Sequence, residues 1–214
     1  AVVLLNDGTG TFGAPVKYAV GSYPLAAKLA DINVDAKLDL VFISRNDPEA
    51  TGDGADPRVV RWFGKGDGTF DETTEKRYAT GTDPRDLALY DLNKDGAPDA
   101  VTTHYSDDSV YVLRGRNDGS FLNAARYRVG DNPQTVAIAD MNKDGFADIV
   151  TTNLGNTVSI AINRGNLVFN NGMNYYAGSS PIAGVIADMN RDTHPDLIYA
   201  NQQTNDISIL CGTK

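Results

Sequence analysis

Four nine-residue segments place oxygen-bearing side chains at alternating positions: DINVDAKLD at 31–39, DLNKDGAPD at 91–99, DMNKDGFAD at 140–148 and DMNRDTHPD at 188–196. Each has Asp first, Asn third, Asp fifth and Asp ninth. Oxygens two residues apart in a tight loop converge on one point, which is how a chain surrounds a hard cation that takes six to eight oxygen ligands. Calcium fits best, and about four Ca²⁺ ions, one per loop, are expected. The helix–loop–helix calcium motif shares the spacing and the Gly at the sixth position, but it needs a bidentate Glu at the twelfth. Here the twelfth residue is Phe42, Thr102, Thr151 or Tyr199, so the ninth Asp is expected to close the ligand set. A metal-free surface turn also favours Asp and Asn, yet four copies that share every acidic position point to a cation. Three Asp in each of four loops make twelve of the 28 acidic residues, and four Ca²⁺ would bring the formal charge of -9 to about -1.

The loops recur in phase with other elements. Tyr18, Tyr78, Tyr127 and Tyr175 are each followed by Gly at three residues, Pro at six and the first loop Asp at thirteen. A third pattern reads RWFGKGDGTF from Arg61, VLRGRNDGSF from Val112, AINRGNLVF from Ala161 and LLNDGTGTF from Leu4. The loops begin 60, 49 and 48 residues apart, and the long first interval holds an extra segment from Arg45 to Pro57. The runs DLVFIS, DAVTTH, DIVTTN and DLIYAN after the loops are β-branched and apolar, and VSIAIN and ISILCG alternate with period two. Gly, Asn and Asp mark tight turns, and no helical periodicity is present. Four short strands per unit of about 48 residues predict an all-β fold, a β-propeller of about four four-stranded blades. Each blade is expected to carry its calcium loop between its first two strands. The chain reads as a single domain over 1–214, with repeats near 18–70, 78–121, 127–169 and 175–214 and a partial repeat at 1–17. It begins and ends on third-strand sequences, AVVLLND and ISILCG. A four-bladed ring with a surplus strand, a piece of a larger ring, two chains completing one ring, and polymerisation through the surplus strand are all compatible with that.

The DxNxDGxxD loops between strands, together with the Gly66 to Phe70 turn and its relatives, resemble the FG-GAP/VCBS repeats of the integrin α-subunit propeller and of many secreted microbial proteins and lectins. The resemblance covers essentially the whole chain. It implies that each loop binds Ca²⁺ through the side chains at its first, third, fifth and ninth positions and the backbone carbonyl at its seventh. On this sequence those are Asp31, Asn33, Asp35, Lys37 and Asp39; Asp91, Asn93, Asp95, Ala97 and Asp99; Asp140, Asn142, Asp144, Phe146 and Asp148; and Asp188, Asn190, Asp192, His194 and Asp196. Loops one and four depart from the pattern with Ala36 and Thr193 where Gly is favoured, and weaker sites are expected there if the turn needs positive φ.

Several functions are disfavoured. No clustered Lys and Arg offset the net charge, so neither nucleic acid nor an anionic membrane is an expected partner. No apolar run approaches the roughly 18 residues that span a bilayer, and AVVLLNDG does not read as a signal peptide. The first residue is not Met, so a processed or excised chain is expected. Acyl-transfer, zinc-protease and phosphate-loop motifs are missing, and His104 and His194 read as structural or surface residues, so no enzymatic role is expected. Two binding classes remain: a recognition, adhesion or assembly module with an extracellular protein or glycan ligand, and a lectin whose repeated shallow sites give avidity. An accessory domain of a secreted polysaccharide-active enzyme is a third reading. Trp62 and the tyrosines could stack on sugars, although the four in-phase tyrosines read better as blade packing. The 45–57 segment is a candidate interaction loop. Modest calcium sites fill outside the cytosol, so a secreted or periplasmic location is expected. Cys211 reads as a buried residue of the last strand, and there is no N-x-[ST] sequon.

Overall fold

The computed structural model describes residues 1–20, 22–46 and 57–213. Apart from its ends, the insertion between Arg45 and Pro57 lies outside the described residues. The described residues contain no helix, and their strands form five antiparallel sheets. At the start, β1 (Val2–Val3) pairs with β2 (Val16–Lys17). Sheet I follows with β3 (Ser22–Ala30), β4 (Asp39–Asn46), β5 (Arg58–Gly64) and β6 (Phe70–Ala79). Sheet II has β7 (Pro84–Tyr90), β8 (Asp99–His104), β9 (Ser109–Leu113) and β10 (Ala125–Arg128). Sheet III has β11 (Pro133–Ala139), β12 (Asp148–Asn153), β13 (Thr157–Ala161) and β14 (Met173–Tyr176). Sheet IV has β15 (Pro181–Ala187), β16 (Asp196–Asn201) and β17 (Asp206–Leu210).

Each sheet is an up-and-down meander, and each acidic loop joins its first two strands, as expected from the sequence. The expected four-stranded unit holds for three sheets. Sheet IV has three strands among the described residues. Consecutive sheets stack through their first strands, β3 on β7, β7 on β11 and β11 on β15. Among the described residues no such stacking joins β15 to β3, and Val185 on β15 is 62% exposed.

Burial explains the strand compositions. The second strands of sheets II and III lie between two neighbouring sheets, and every residue of β8 and β12 is buried. Such strands read as continuous apolar and Thr runs because both faces are covered. The core is divided among the junctions. Val41, Ile43 and Val59 of sheet I meet Leu87, Ala100 and Leu113 of sheet II. Val101, Val110 and Val112 then meet Ile149 and Ala161 of sheet III, and Val150 and Val158 meet Leu197 and Tyr199 of sheet IV.

The in-phase tyrosines work as packing residues. Tyr18, Tyr78 and Tyr127 set their rings edge-on to Phe70, Phe121 and Phe169, at centroid distances of 5.7, 5.2 and 5.2 Å. Among the described residues Tyr175 has no such ring partner, and it is 39% exposed. The prolines six residues later open the first strands of sheets II, III and IV and stand third in β3 of sheet I, and the residue before each, Tyr23, Asp83, Asn132 or Ser180, has φ between 52° and 56°. Two sequence expectations are corrected. Trp62 is not a sugar platform: it is 1% exposed, packed on Phe42 and Tyr18, and its indole N–H donates to Glu75. Cys211 is exposed just beyond β17, because among the described residues no sheet covers the outer face of sheet IV, where Ile207 and Ile209 are also exposed.

Candidate metal loops

The four loops share one conformation. In loop 91–99, Asp91 accepts the N–H groups of Asp95 and Gly96 on its two oxygens, at 3.0 and 2.8 Å. Asn93 Oδ1 also accepts from Asp95 N at 2.9 Å, and Asp95 Oδ1 accepts from Ala97 N at 3.1 Å. Asp99, fully buried, accepts Leu92 N at 3.0 Å on one oxygen and Gly115 N at 2.8 Å on the other. Loops 31–39, 140–148 and 188–196 repeat these bonds position for position. The ninth Asp therefore has a role that the spacing did not reveal. It ties the loop to the end of the third strand, and Asp39, Asp99, Asp148 and Asp196 are all at 0% exposure.

The sixth position needs positive φ, as anticipated: Gly96 and Gly145 stand at 90° and 89°, and Ala36 and Thr193 are held at 64° and 74°. The fourth position is also left-handed, with Val34, Lys94, Lys143 and Arg191 at 59° to 63°. That second demand was not legible, since no Gly marks it.

The carboxylates feel one another. Burial pushes the Asp99 carboxyl up to about 6, against its two N–H donors, and repulsion from Asp95 and Asp91 adds to the rise. Asp39 and Asp148 are raised for the same reasons, burial first and then their own loop carboxylates. Three fifth-position carboxylates have a basic neighbour: Asp35 has Lys37 Nζ at 3.4 Å, Asp95 has Arg114 at 2.9 Å and Asp192 has the His194 ring at 3.3 Å. Among the described residues Asp144 has none.

The donor set fits a hard cation. Each loop offers three carboxylates and an amide oxygen, with neither thiolate nor, outside His194, imidazole, which suits Ca²⁺ or Mg²⁺ rather than zinc or copper. The oxygens already accept backbone N–H groups, and each carboxylate retains further lone pairs. Among the described residues no three Asp, Glu, His or Cys side chains are drawn into a finished metal cage.

Of the two histidines, His194 stands on the fourth loop, and His104 is buried at the end of β8. The His104 Nδ1–H donates to Thr82 O at 3.0 Å, and Nε2 meets the Thr102 and Thr80 hydroxyls at 2.8 and 3.0 Å. It is fully committed to structure.

Radially stacked meanders, each with an acidic loop between its first two strands, define a propeller-like repeat protein. A profile of the FG-GAP-like repeat matches residues 91–151 and 140–199, and together the matches cover half of the chain. The chain belongs to the FG-GAP-like repeat family. Comparison with curated protein sequences gave no match. Among solved structures it is similar to an Agrocybe aegerita lectin described for specific recognition of non-reducing terminal N-acetylglucosamine, at 20% identity and a TM-score of 0.60, over 99% of this chain and 57% of the lectin. A functionally unknown protein from Desulfotomaculum acetoxidans matches at 15% identity and a TM-score of 0.60, over 98% of this chain and 62% of that one. BBS1N, solved in complex with ARL6DN, matches at 13% identity and a TM-score of 0.56, over 90% and 55%. The chain thus spans about three fifths of the length of these structures.

Proposed function

We propose that this chain is a calcium-binding, non-catalytic recognition module that works outside the cell and presents the surface of its stacked sheets to an extracellular protein or glycan. The observation that carries the metal is the fourfold loop, which gathers three carboxylates and an amide oxygen in one nine-residue turn; burial first, and then the other carboxylates of the segment, raise Asp39, Asp99 and Asp148, and a bound cation removes that repulsion. Loop 140–148 fits best, because Gly145 carries the left-handed turn and among the described residues no basic side chain pairs with Asp144, unlike Asp35, Asp95 and Asp192. Loop 91–99 shares the glycine but must accommodate Arg114, and the other two also carry a strained sixth residue.

A lectin is the second reading, favoured by the likeness to the Agrocybe aegerita protein. With Trp62 buried, any stacking on sugar would fall to exposed rings such as Tyr23, Tyr90 and Tyr176. A glycan array run in millimolar Ca²⁺ and again in EDTA tests the two. Calcium-dependent binding to a coherent set of sugars selects the lectin. A blank array from protein folded in calcium selects protein recognition or assembly, including self-association through the terminal strands.

A further inference from the structure

The fourth-position lysines of the second and third loops each reach the sixth position of the loop that follows. Lys94 Nζ sits 4.8 Å from the centroid of the Phe146 ring, and it would lie 3.5 Å from a Cβ placed on Gly145. One repeat later, Lys143 Nζ donates to Thr193 Oγ1 at 2.6 Å. The two contacts are equivalent in place but act on different residues. Gly145 adopts φ 89° without strain, whereas Thr193 is β-branched and stands at 74°, a conformation such residues rarely take. Thr193 also lies in the middle of the loop's hydrogen-bond network. Its N–H donates to Asp188 Oδ2 at 2.8 Å, between the amides of Asp192 and His194, which donate to Asp188 and Asp192.

From this geometry we infer that Lys143 is a positioning residue for the fourth loop: its ammonium, delivered from the third loop, holds Thr193 in the left-handed turn that the loop requires. The dependence runs in one direction. Lys143 is itself fixed by the third loop, between Asn142 and Asp144, with φ 59°. Order in loop 140–148 therefore aims the ammonium, and the ammonium orders loop 188–196. Loop 31–39, with Ala36 at 64°, offers no side-chain hydroxyl at its sixth position for such a strut. If the calcium reading above holds, filling the third site favours the fourth. The strut itself does not rest on that reading.

Amide hydrogen exchange of the whole chain in EDTA tests the strut without metal. Lys143→Met keeps most of the stem and removes the ammonium. The expected result is that the amides of Asp192, Thr193 and His194 exchange about fivefold faster, as befits one charged hydrogen bond at the surface, while those of loop 140–148 and of β12 stay within twofold of the parent. In a Thr193→Gly background, where the strain is gone, Lys143→Met should change fourth-loop exchange by less than twofold. Lys94→Met is the matched control and should leave the amides of Asp144, Gly145 and Phe146 within twofold. Unchanged fourth-loop exchange in Lys143→Met, or an equal acceleration in the Thr193→Gly background, would overturn the proposal. Calcium titration of the same variants separates the two claims: protein that binds no calcium but shows the exchange pattern refutes the metal reading and leaves the strut standing.

Discussion

Asn163 offers the cleanest test of how the sheets are locked to one another. It stands where sheets I, II and IV have Gly64, Gly115 and Gly212, next to the eighth residue of the acidic loop. On Gly115 a Cβ would lie 2.1 Å from Pro98 O, so those sheets exclude a side chain there. Sheet III admits one and uses it. Asn163 is at 0% exposure, its Nδ2 donates to Leu92 O of sheet II's loop at 2.9 Å and to Ala147 O of its own loop at 3.1 Å, and its Oδ1 accepts Gly165 N at 3.0 Å. Asn163→Gly restores the residue used elsewhere and removes all three bonds. At about 1 kcal/mol for each hydrogen bond, plus about 0.5–1 kcal/mol for the added backbone freedom of glycine, the loss is about 3–4 kcal/mol. For a chain of this size that is a fall of roughly 10 °C in Tm. Urea denaturation followed by circular dichroism, in EDTA so that metal does not contribute, measures it. Stability within 1 kcal/mol of the parent would refute the reasoning, since it would mean that the two carbonyls and the amide find other partners at no cost.

Four further outcomes follow from the same contacts. Tyr127→Phe should cost about 1 kcal/mol, because its hydroxyl donates to Leu167 O at 2.7 Å, whereas Tyr78→Phe should be neutral or stabilising, since among the described residues the buried Tyr78 hydroxyl has no partner; paired urea melts compare them. Ala36→Gly should stabilise by about 1 kcal/mol, because residue 36 stands at φ 64°. Burial pushes the His104 imidazole down to about 4, so the folded chain binds fewer protons than the unfolded one between that pH and the ordinary value near 6.5. The His104 contribution is thus intact above pH 6.5 and is lost as pH falls toward 4, by up to about 3 kcal/mol. Its signature is a pH-dependent difference between the parent and His104→Asn, the residue that sheets III and IV carry as Asn153 and Asn201; a constant difference would contradict it.

The periodic features of this fold were legible because they recur in phase along the chain. The loop spacing, the Tyr, Gly and Pro offsets and the β-branched second strands each repeat at fixed intervals, and the structure reproduces them. The left-handed sixth position was readable from Gly96 and Gly145, and with them the anomaly of Ala36 and Thr193. The fourth position was not readable, since Val34 and Arg191 carry no sign of positive φ. Features made by distant chain also escaped. Asp99 as a clamp requires Gly115, sixteen residues on, and Asn163 requires Leu92, seventy-one residues back. Trp62 looked like a binding aromatic because its partners Tyr18 and Phe42 come from other strands. Cys211 looked buried because alternation gives the face of a strand but not whether a neighbour covers it.

Calorimetric titration of calcium into EDTA-stripped protein tests the central claim most directly. The account predicts saturable binding that approaches four ions per chain, tightest at loop 140–148, with one tight site lost in Asp144→Asn and a higher Tm in millimolar Ca²⁺ than in EDTA, because a ligand bound only by the folded state stabilises it. No saturable heat at millimolar Ca²⁺, together with superimposable melts in Ca²⁺ and EDTA, would contradict it and leave the loops as hydrogen-bonded turns that clamp one strand to the next.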